Sequence, residues 1–386
     1  MARSVAEAAA GSGWEVLAAH SSRFSAQLPD GVKGYKSGSE TSERLHALAS
    51  YLLDRQGLHS NDATRRLIAE IERFAPDVIN LHNVHGYYLN HGLLFSFLRA
   101  YGAPVVWTLH DMWALTGRCA FPEAVGCTRY ADGCGSCPSL GNYPKSLIDR
   151  SRAHYQEKMI ALADIPGLQF VVPSLRLGEL LKRSPLSGYQ VNTIYNGVDT
   201  EVFKPADSLR YSPFMILALA SKWTDEKGFR DFIELSRHLR PSCNIMLAGV
   251  TSAQRRQLGR HGIIGIERTE SEEKLAELYR MAHVTVSLSR ADTLPTVLLE
   301  SLACGTPAVT YDTGGCGEII ADGCGCVVPI GDIDAAARQI EEICARCKSE
   351  YTGPCRGRAL AAFDRRDMEK AYINLFNSLK YDTEII

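Results

Sequence analysis

Apolar residues along this chain gather in short runs, and between the runs they recur at helical spacing. "WEVLAAH", "PDVINLHN", "APVVWTLHD", "GLQFVVPS" and "QVNTIYNGVD" read as strands. "NDATRRLIAEIERFA", capped by Asn61 or Asp62, and "GLLFSFLRAYG" read as helices. From "FMILALAS" onward the alternation resumes. "CNIMLAGV", "HVTVSLS" and "AVTYD" are further strands, and "GFRDFIELSRHL", "EEKLAELYRMA" and "IDAAARQIEEICARC" are helices. Strands alternating with helices predict parallel sheets wrapped on both faces.

The pattern divides into two doubly wound α/β domains and a tail. We expect a first domain over 1–204, a second over 205–362, and a C-terminal helix, "DMEKAYINLFNSL", over 363–386. The join near "NGVDTEVFKPADSLRYSP" is polar and holds Pro205 and Pro213, a hinge by composition. The chain opens in a helix, "ARSVAEAAAG", stopped by Gly11 to Gly13. A first strand and its phosphate-facing turn are therefore expected to be absent, with the true start upstream or the chain impaired.

Composition narrows the class. The chain has 386 residues, 45% hydrophobic and 22% charged, as in soluble globular proteins. A formal net charge of -2 argues against a general nucleic-acid partner. No apolar run is long enough to span a bilayer, and the first residues lack the apolar core of a secretory signal. A cytoplasmic enzyme is expected.

The chemistry gathers at predicted strand ends, where open parallel sheets bind ligands. In "SLSRADTLPTVLLESLACGTPAVTYDTGG", Asp292 and Thr293 are helix N-cap candidates, Pro295 suits the first turn and Gly305 ends the helix. Glu300 lies five residues past Pro295, about 7.5 Å along a helix. Two acids so spaced could grip two ends of one extended ligand, since carboxylates accept hydrogen bonds from vicinal hydroxyls such as those of sugars and ribose. The bland reading is a cap and a solvated helix residue. Thr313, Gly314 and Gly315 would offer backbone N–H groups to phosphate, or form a simple turn. Lys222 and Lys227 in "LASKWTDEKGF" could straddle a diphosphate, or be two surface lysines.

Together these residues resemble the retaining glycosyltransferases of family 4, of the GT-B type with two Rossmann-like domains facing a cleft. The family's E-x7-E stands here as Asp292-x7-Glu300, followed by "LACGTPAV" and by Gly314-Gly315 with Glu318. Its R-x4-K diphosphate clamp stands as Lys222-x4-Lys227, and "IYNGVDTEVFKP" and "VVPS" match its interdomain segments. More narrowly, "NLHNVHGYYLN", "WTLHDMWALTGRC" and "YPKSL" resemble enzymes of bacterial exopolysaccharide assembly, of the colanic-acid type.

The resemblance implies transfer of a sugar from a UDP- or GDP-sugar to a saccharide or polyprenyl-linked acceptor, with retention and no catalytic metal. It implies that the C-terminal helix crosses back to the first domain. It places Asp292, Lys222, Lys227 and His110 in catalysis, and Glu300, Thr293, Leu294, Thr313, Gly314 and Gly315 in donor binding. His82, Asn83, His85 and Asp111 fall on the acceptor side. Asp for Glu and Lys for Arg keep the charge but change reach and phosphate geometry. Peripheral association with the inner face of a membrane is left open. So are two alternatives of other classes: a non-hydrolysing nucleotide-sugar epimerase, which would convert donor alone, and an inactive sugar-nucleotide-binding partner.

"GRCAFPEAVGCTRYADGCGSCP" gives Cys119-x7-Cys127-x6-Cys134-x2-Cys137. Four thiols so spaced suit a closed structural zinc site, and equally free thiols or a redox pair. Cys344, Cys347 and Cys355 read as thiols on a helix end.

Overall fold

The computed structural model describes residues 1–24, 27–206 and 214–383, with side chains through residue 380. Pro213 of the expected hinge lies outside the described residues. The chain divides into two compact units, Met1–Ile194 with Glu369–Ile386, and Tyr195–Met368. Residues 195–204, grouped with the first domain on sequence, supply Val198 and Phe203 to the core of the second unit.

In the first unit, β1 (Val16–Ser21) and β2 (Val32–Ser37) form a parallel pair behind an opening helix, Ala2–Gly11. β3 (Ile79–Leu81), β4 (Val105–Thr108), β5 (Leu168–Val172) and β6 (Gln190–Thr193) form a parallel sheet in that order. Every residue of β4, "VVWT", is buried, which suits β-branched and aromatic residues in a central strand. Trp107 packs with Phe95 of the helix His91–Tyr101 and with Phe170 of β5. The helix Asn61–Phe74 is not capped as expected: Ser60 is its N-cap, in left-handed backbone and without a side-chain cap bond. Asn61 instead accepts from Asn90 at 2.8 Å. The last helix is Arg365–Thr383, and from Glu369 onward it belongs to this unit. Tyr372 meets the Thr108 hydroxyl at 3.1 Å, and Phe376 packs on Trp14.

The second unit holds β7 (Phe214–Leu219), β8 (Cys243–Ala248), β9 (Ile264–Ile266), β10 (Val284–Ser287), β11 (Ala308–Tyr311) and β12 (Gly325–Val328). All pair in parallel, in the order β12-β11-β10-β7-β8-β9. Read from β9, this is the dinucleotide-binding order, whose direction reverses between β7 and β10. Ligands of such sheets bind outside the carboxyl ends of the strands at that reversal. Lys222, Lys227 and Asp292 lie in the segments that leave β7 and β10 there.

Candidate active site

The segment after β7 is held down by Trp223, whose indole N–H donates to the Ala248 carbonyl at 2.8 Å. It ends at Gly228, in left-handed backbone, where a Cβ would lie 2.4 Å from the Leu288 carbonyl oxygen. Only glycine lets the two segments approach so closely. Lys227 Nζ then donates to Asp292 Oδ2 at 2.7 Å. Lys222 is exposed and makes no ion pair among the described residues.

Asp292 and Thr293 do not cap the helix that follows. Its N-cap is Pro295, without a side-chain cap bond, and the helix runs Thr296–Ala303. Asp292 Oδ1 accepts from the Thr293 N–H at 3.0 Å, and its other oxygen faces Lys227. The carboxylate is committed to a cation, so the helix starts without it.

Two links in this segment leave no trace in sequence spacing. Arg290 grips both oxygens of Asp231, at 3.0 and 2.8 Å, and the buried Tyr311 hydroxyl donates to Asp231 at 3.0 Å. Asn196 donates from Nδ2 to the Leu294 carbonyl at 3.0 Å, while its buried Oδ1 has no partner.

Thr313, Gly314 and Gly315 close onto the same segment. The Thr313 N–H bonds to the Tyr311 carbonyl at 2.9 Å and the Gly315 N–H to the Thr293 carbonyl at 2.8 Å. The expected row of three bare N–H donors is therefore corrected, since two of them are spent inside the protein. Gly314 is in left-handed backbone, and a Cβ there would lie 1.7 Å from the Asp292 carbonyl oxygen.

Glu300, on the second turn of the helix Thr296–Ala303, accepts from the Tyr279 hydroxyl at 2.7 Å. Burial pushes its carboxyl up to about 7, against the opposing hydrogen bonds from Tyr279 and Thr296. Glu300 is thus poised between an acceptor-only carboxylate and a neutral acid at neutral pH.

In the first unit a second group stands at the ends of β3 and β4. His82 Nδ1 and His110 Nε2 lie 2.9 Å apart with their rings stacked, so at neutral pH the two imidazoles share one N–H. Burial lowers His82 to about 3 and also lowers His110, with the neighbouring imidazole adding to the first. His85 Nε2 contacts Asp111 Oδ2 at 2.9 Å, and Asp111 Oδ1 accepts from the Trp113 N–H at 2.8 Å. Burial alone would raise Asp111, but the His85 ring and the Trp113 N–H outweigh it and its carboxyl is lowered. Asn83 accepts from the His85 N–H at 3.0 Å, and its side chain is otherwise exposed. His82, Asn83, His85, His110 and Asp111 line one small pocket. The structure thus brings all five together, and it pairs His82 with His110, which sequence spacing does not show.

Cys119, Cys127, Cys134 and Cys137 line a second small pocket. The Gly117 N–H donates to Cys134 Sγ at 3.1 Å, and burial with the neighbouring thiols pushes Cys119 up to about 12. Among the described residues no three His, Cys, Asp or Glu side chains are arranged to hold a metal ion. The thiols are gathered, but their arrangement does not fit a closed zinc cage. Cys344 ends one helix, Cys347 precedes the next, and Cys355 is buried within that second helix, so the three do not share a helix end.

Two parallel α/β units, the second in dinucleotide-binding strand order with a cation and an acid at its reversal point, define the GT-B glycosyltransferase fold. The family comparisons agree. A model described as Glycosyltransferase Family 4 matches residues 1–202, and one described as Glycosyl transferases group 1 matches residues 204–349. The chain belongs to glycosyltransferase family 4. It is 26% identical over 330 residues to the putative colanic acid biosynthesis glycosyl transferase WcaC of Escherichia coli (strain K12), covering 79% of this chain and 77% of that protein. Sucrose-phosphate synthase from Thermosynechococcus elongatus superposes with a TM-score of 0.73 at 17% identity, over 98% of this chain and 92% of that one. HepE of Anabaena, solved in complex with UDP, superposes with a TM-score of 0.66 at 13% identity, over 98% and 96%.

Proposed function

We propose that this glycosyltransferase is a retaining, metal-independent enzyme of exopolysaccharide synthesis. It moves a sugar from a UDP- or GDP-sugar to a hydroxyl of a saccharide or polyprenyl-linked saccharide. The observation that carries the reading is the Lys227–Asp292 pair at the carboxyl ends of β7 and β10, closed from the other side by Gly314. The WcaC relative and the UDP complex of HepE support the pathway class and the donor class.

The chemistry follows from charge. The glycosyl–phosphate bond breaks through an oxocarbenium-like state, and negative charge grows on the departing diphosphate. Lys222 and Lys227 supply the countercharge that a divalent metal supplies elsewhere. Asp292 faces the donor sugar, and Glu300 accepts from the ribose hydroxyls in its ionised form. Thr293, Leu294, Thr313 and Gly315 shape the donor pocket through backbone. In the first unit His110 serves the sugar, and Asp111, held by His85, orients the acceptor hydroxyl, beside His82 and Asn83. The hydroxyl attacks on the face the diphosphate leaves, which retains the anomeric configuration. The cysteine pocket takes no part in transfer.

A thermal-shift screen of UDP- and GDP-sugars, followed by NMR of the product anomer, tests this reading. Stabilisation by one donor series and transfer with retention are expected. Conversion of donor without acceptor would show an epimerase. Stabilisation without any turnover would show a binding partner. An inverted product would refute retention.

A further inference from the structure

The helix Glu40–Leu53 is built inside out. Its buried side chains are Glu43, His46 and Ser50, a polar stripe at helical spacing. Its solvent stripe is Leu45, Leu48 and Leu52, which are 62%, 53% and 45% exposed, with Leu53 beside them at 49%. Glu43 and His46 of the inner stripe are tolerated because they are bonded, while the buried Ser50 hydroxyl has no partner among the described residues. Glu43 accepts from the Ser22 N–H at 2.7 Å and pairs with Arg23 at 3.1 Å. His46 Nε2 accepts from the Gly57 N–H at 3.0 Å, and its Nδ1 meets the Ser60 hydroxyl at 2.9 Å. Nothing comparable satisfies the outer stripe, whose leucines carry no polar group to give water.

The stripe continues onto a loop. The Leu147 N–H and the Ser146 hydroxyl both donate to the Tyr51 carbonyl, at 2.8 and 3.2 Å, and the Arg150 N–H donates to Asp54 at 2.8 Å. These bonds bring Leu147, 60% exposed, and Ile148, 44% exposed, to the end of the helix. Single exposed leucines are ordinary, but six large aliphatic side chains on one helix stripe and the loop bonded to it form a patch. The exposed charges within 40–55 and 143–150 are Arg44, Arg55, Lys145 and Arg150 against Glu40 and Asp149. This surface is therefore net positive on a chain whose formal charge is -2.

We propose that this surface docks on an anionic lipid bilayer, with the leucine stripe among the acyl boundary and the basic side chains on lipid phosphates. Apolar stems with basic neighbours suit that interface. A second copy of the chain complements it less well, since a two-fold pairing sets the net-positive patch against itself. The proposal concerns where the protein sits and not what it transfers, so nucleotide binding separates its failure from failure of the transfer reading.

The test is co-sedimentation of the full chain with vesicles of phosphatidylglycerol and phosphatidylethanolamine, and with phosphatidylcholine vesicles. We expect binding to the anionic vesicles that weakens as salt is raised. Leu48→Asp with Leu52→Asp and Leu147→Asp should reduce partitioning at least about tenfold. Lys145→Glu with Arg150→Glu should reduce it several-fold on anionic vesicles only. The thermal shift with UDP should be unchanged in both variants, because the positions are exposed and remote from the donor residues in sequence. A parent that stays in the supernatant overturns the proposal, as do a charge-reversed variant and a triple variant that both bind like the parent. A parent that is dimeric by light scattering, made monomeric by the triple variant and indifferent to vesicles, would assign the surface to self-association and reject the lipid.

Discussion

Lys227 Nζ lies 2.7 Å from Asp292 Oδ2, so the cation proposed to hold the donor diphosphate is already paired with the acid proposed to face the donor sugar. The pair is partly exposed, and such pairs contribute only about 0–1 kcal/mol. A diphosphate can therefore draw on Lys227 at little cost. Asp292→Asn removes the competing charge but keeps the size. It should leave UDP affinity within about threefold of the parent, or tighten it, while turnover falls by about 10²–10³. Lys227→Met should weaken UDP binding as well. Calorimetry with UDP beside initial rates separates these outcomes. Equal losses of binding and turnover in Asp292→Asn would reject its sugar-facing role.

Gly314 and Gly317 lie three residues apart and make opposite demands. A Cβ at Gly314 would overlap the Asp292 carbonyl oxygen, in left-handed backbone, whereas a Cβ at Gly317 meets nothing within 4 Å. Gly314→Ala must push the Asp292 segment away or distort its own turn. A loss of about 2–4 kcal/mol is expected in denaturant unfolding, with UDP binding impaired. Gly317→Ala, within the short helix Cys316–Ile319, should be neutral or slightly stabilising. If both variants behave alike, the close packing of the two segments is not what holds the donor residues.

The elements legible in the sequence are those whose apolar residues point inward. β7 is a continuous apolar run, and β4, β10 and β11 are apolar apart from threonines and Ser287, because both of their faces are covered. The helix Glu40–Leu53 was not legible, because its apolar stripe faces outward and its buried stripe is Glu43, His46 and Ser50. β2, "VKGYKS", has mostly partly or fully exposed residues, and two lysines disguise it. In the site, motif spacing places Lys227, Asp292 and Gly314 at strand ends, and the fold brings them together. The cap assignment failed because Asp292 has a stronger partner in Lys227 than the helix N-terminus offers. The grip of Arg290 on Asp231, 59 residues away, and the stacking of His82 on His110 follow no local pattern and are decided by sheet order.

Glu300 makes stability and binding respond to pH in opposite senses. Its carboxyl is raised from 4.5 to about 7, so over that range the folded state holds a proton that the unfolded chain has lost. Stability contributed by this group is full below pH 4.5 and falls as pH rises towards 7. Glu300→Gln should therefore gain roughly 1–3 kcal/mol over the parent at pH 8 and much less at pH 4.5. Nucleotide affinity should rise in the parent as pH passes through 7, because only the ionised form accepts from both ribose hydroxyls. It should be weak and flat in the variant. Urea unfolding and UDP titration at pH 5, 7 and 8 check both slopes. A parent whose UDP affinity is flat over this range would remove Glu300 from the ribose.

The first unit should respond to acid in the opposite direction. His46 and His91 are both buried, and burial lowers them to about 4 and about 3, with nearby His59 and Lys158 respectively adding to the effect. In the unfolded chain they titrate near 6.5. Below that pH the unfolded state binds protons that the folded state refuses, so stability is full above 6.5 and is lost as pH falls towards 4 and 3. At pH 5 the cost is roughly 2 kcal/mol per histidine. Three of the four tryptophans, Trp14, Trp107 and Trp113, lie in this unit, so tryptophan fluorescence reports mainly on its unfolding. The fluorescence-detected Tm should drop between pH 6.5 and 5. His91→Phe, which keeps the ring beside Phe95 and Trp113, should lessen the drop. A parent Tm that stays level from pH 7 to 5 would show that these imidazoles are not held neutral by burial.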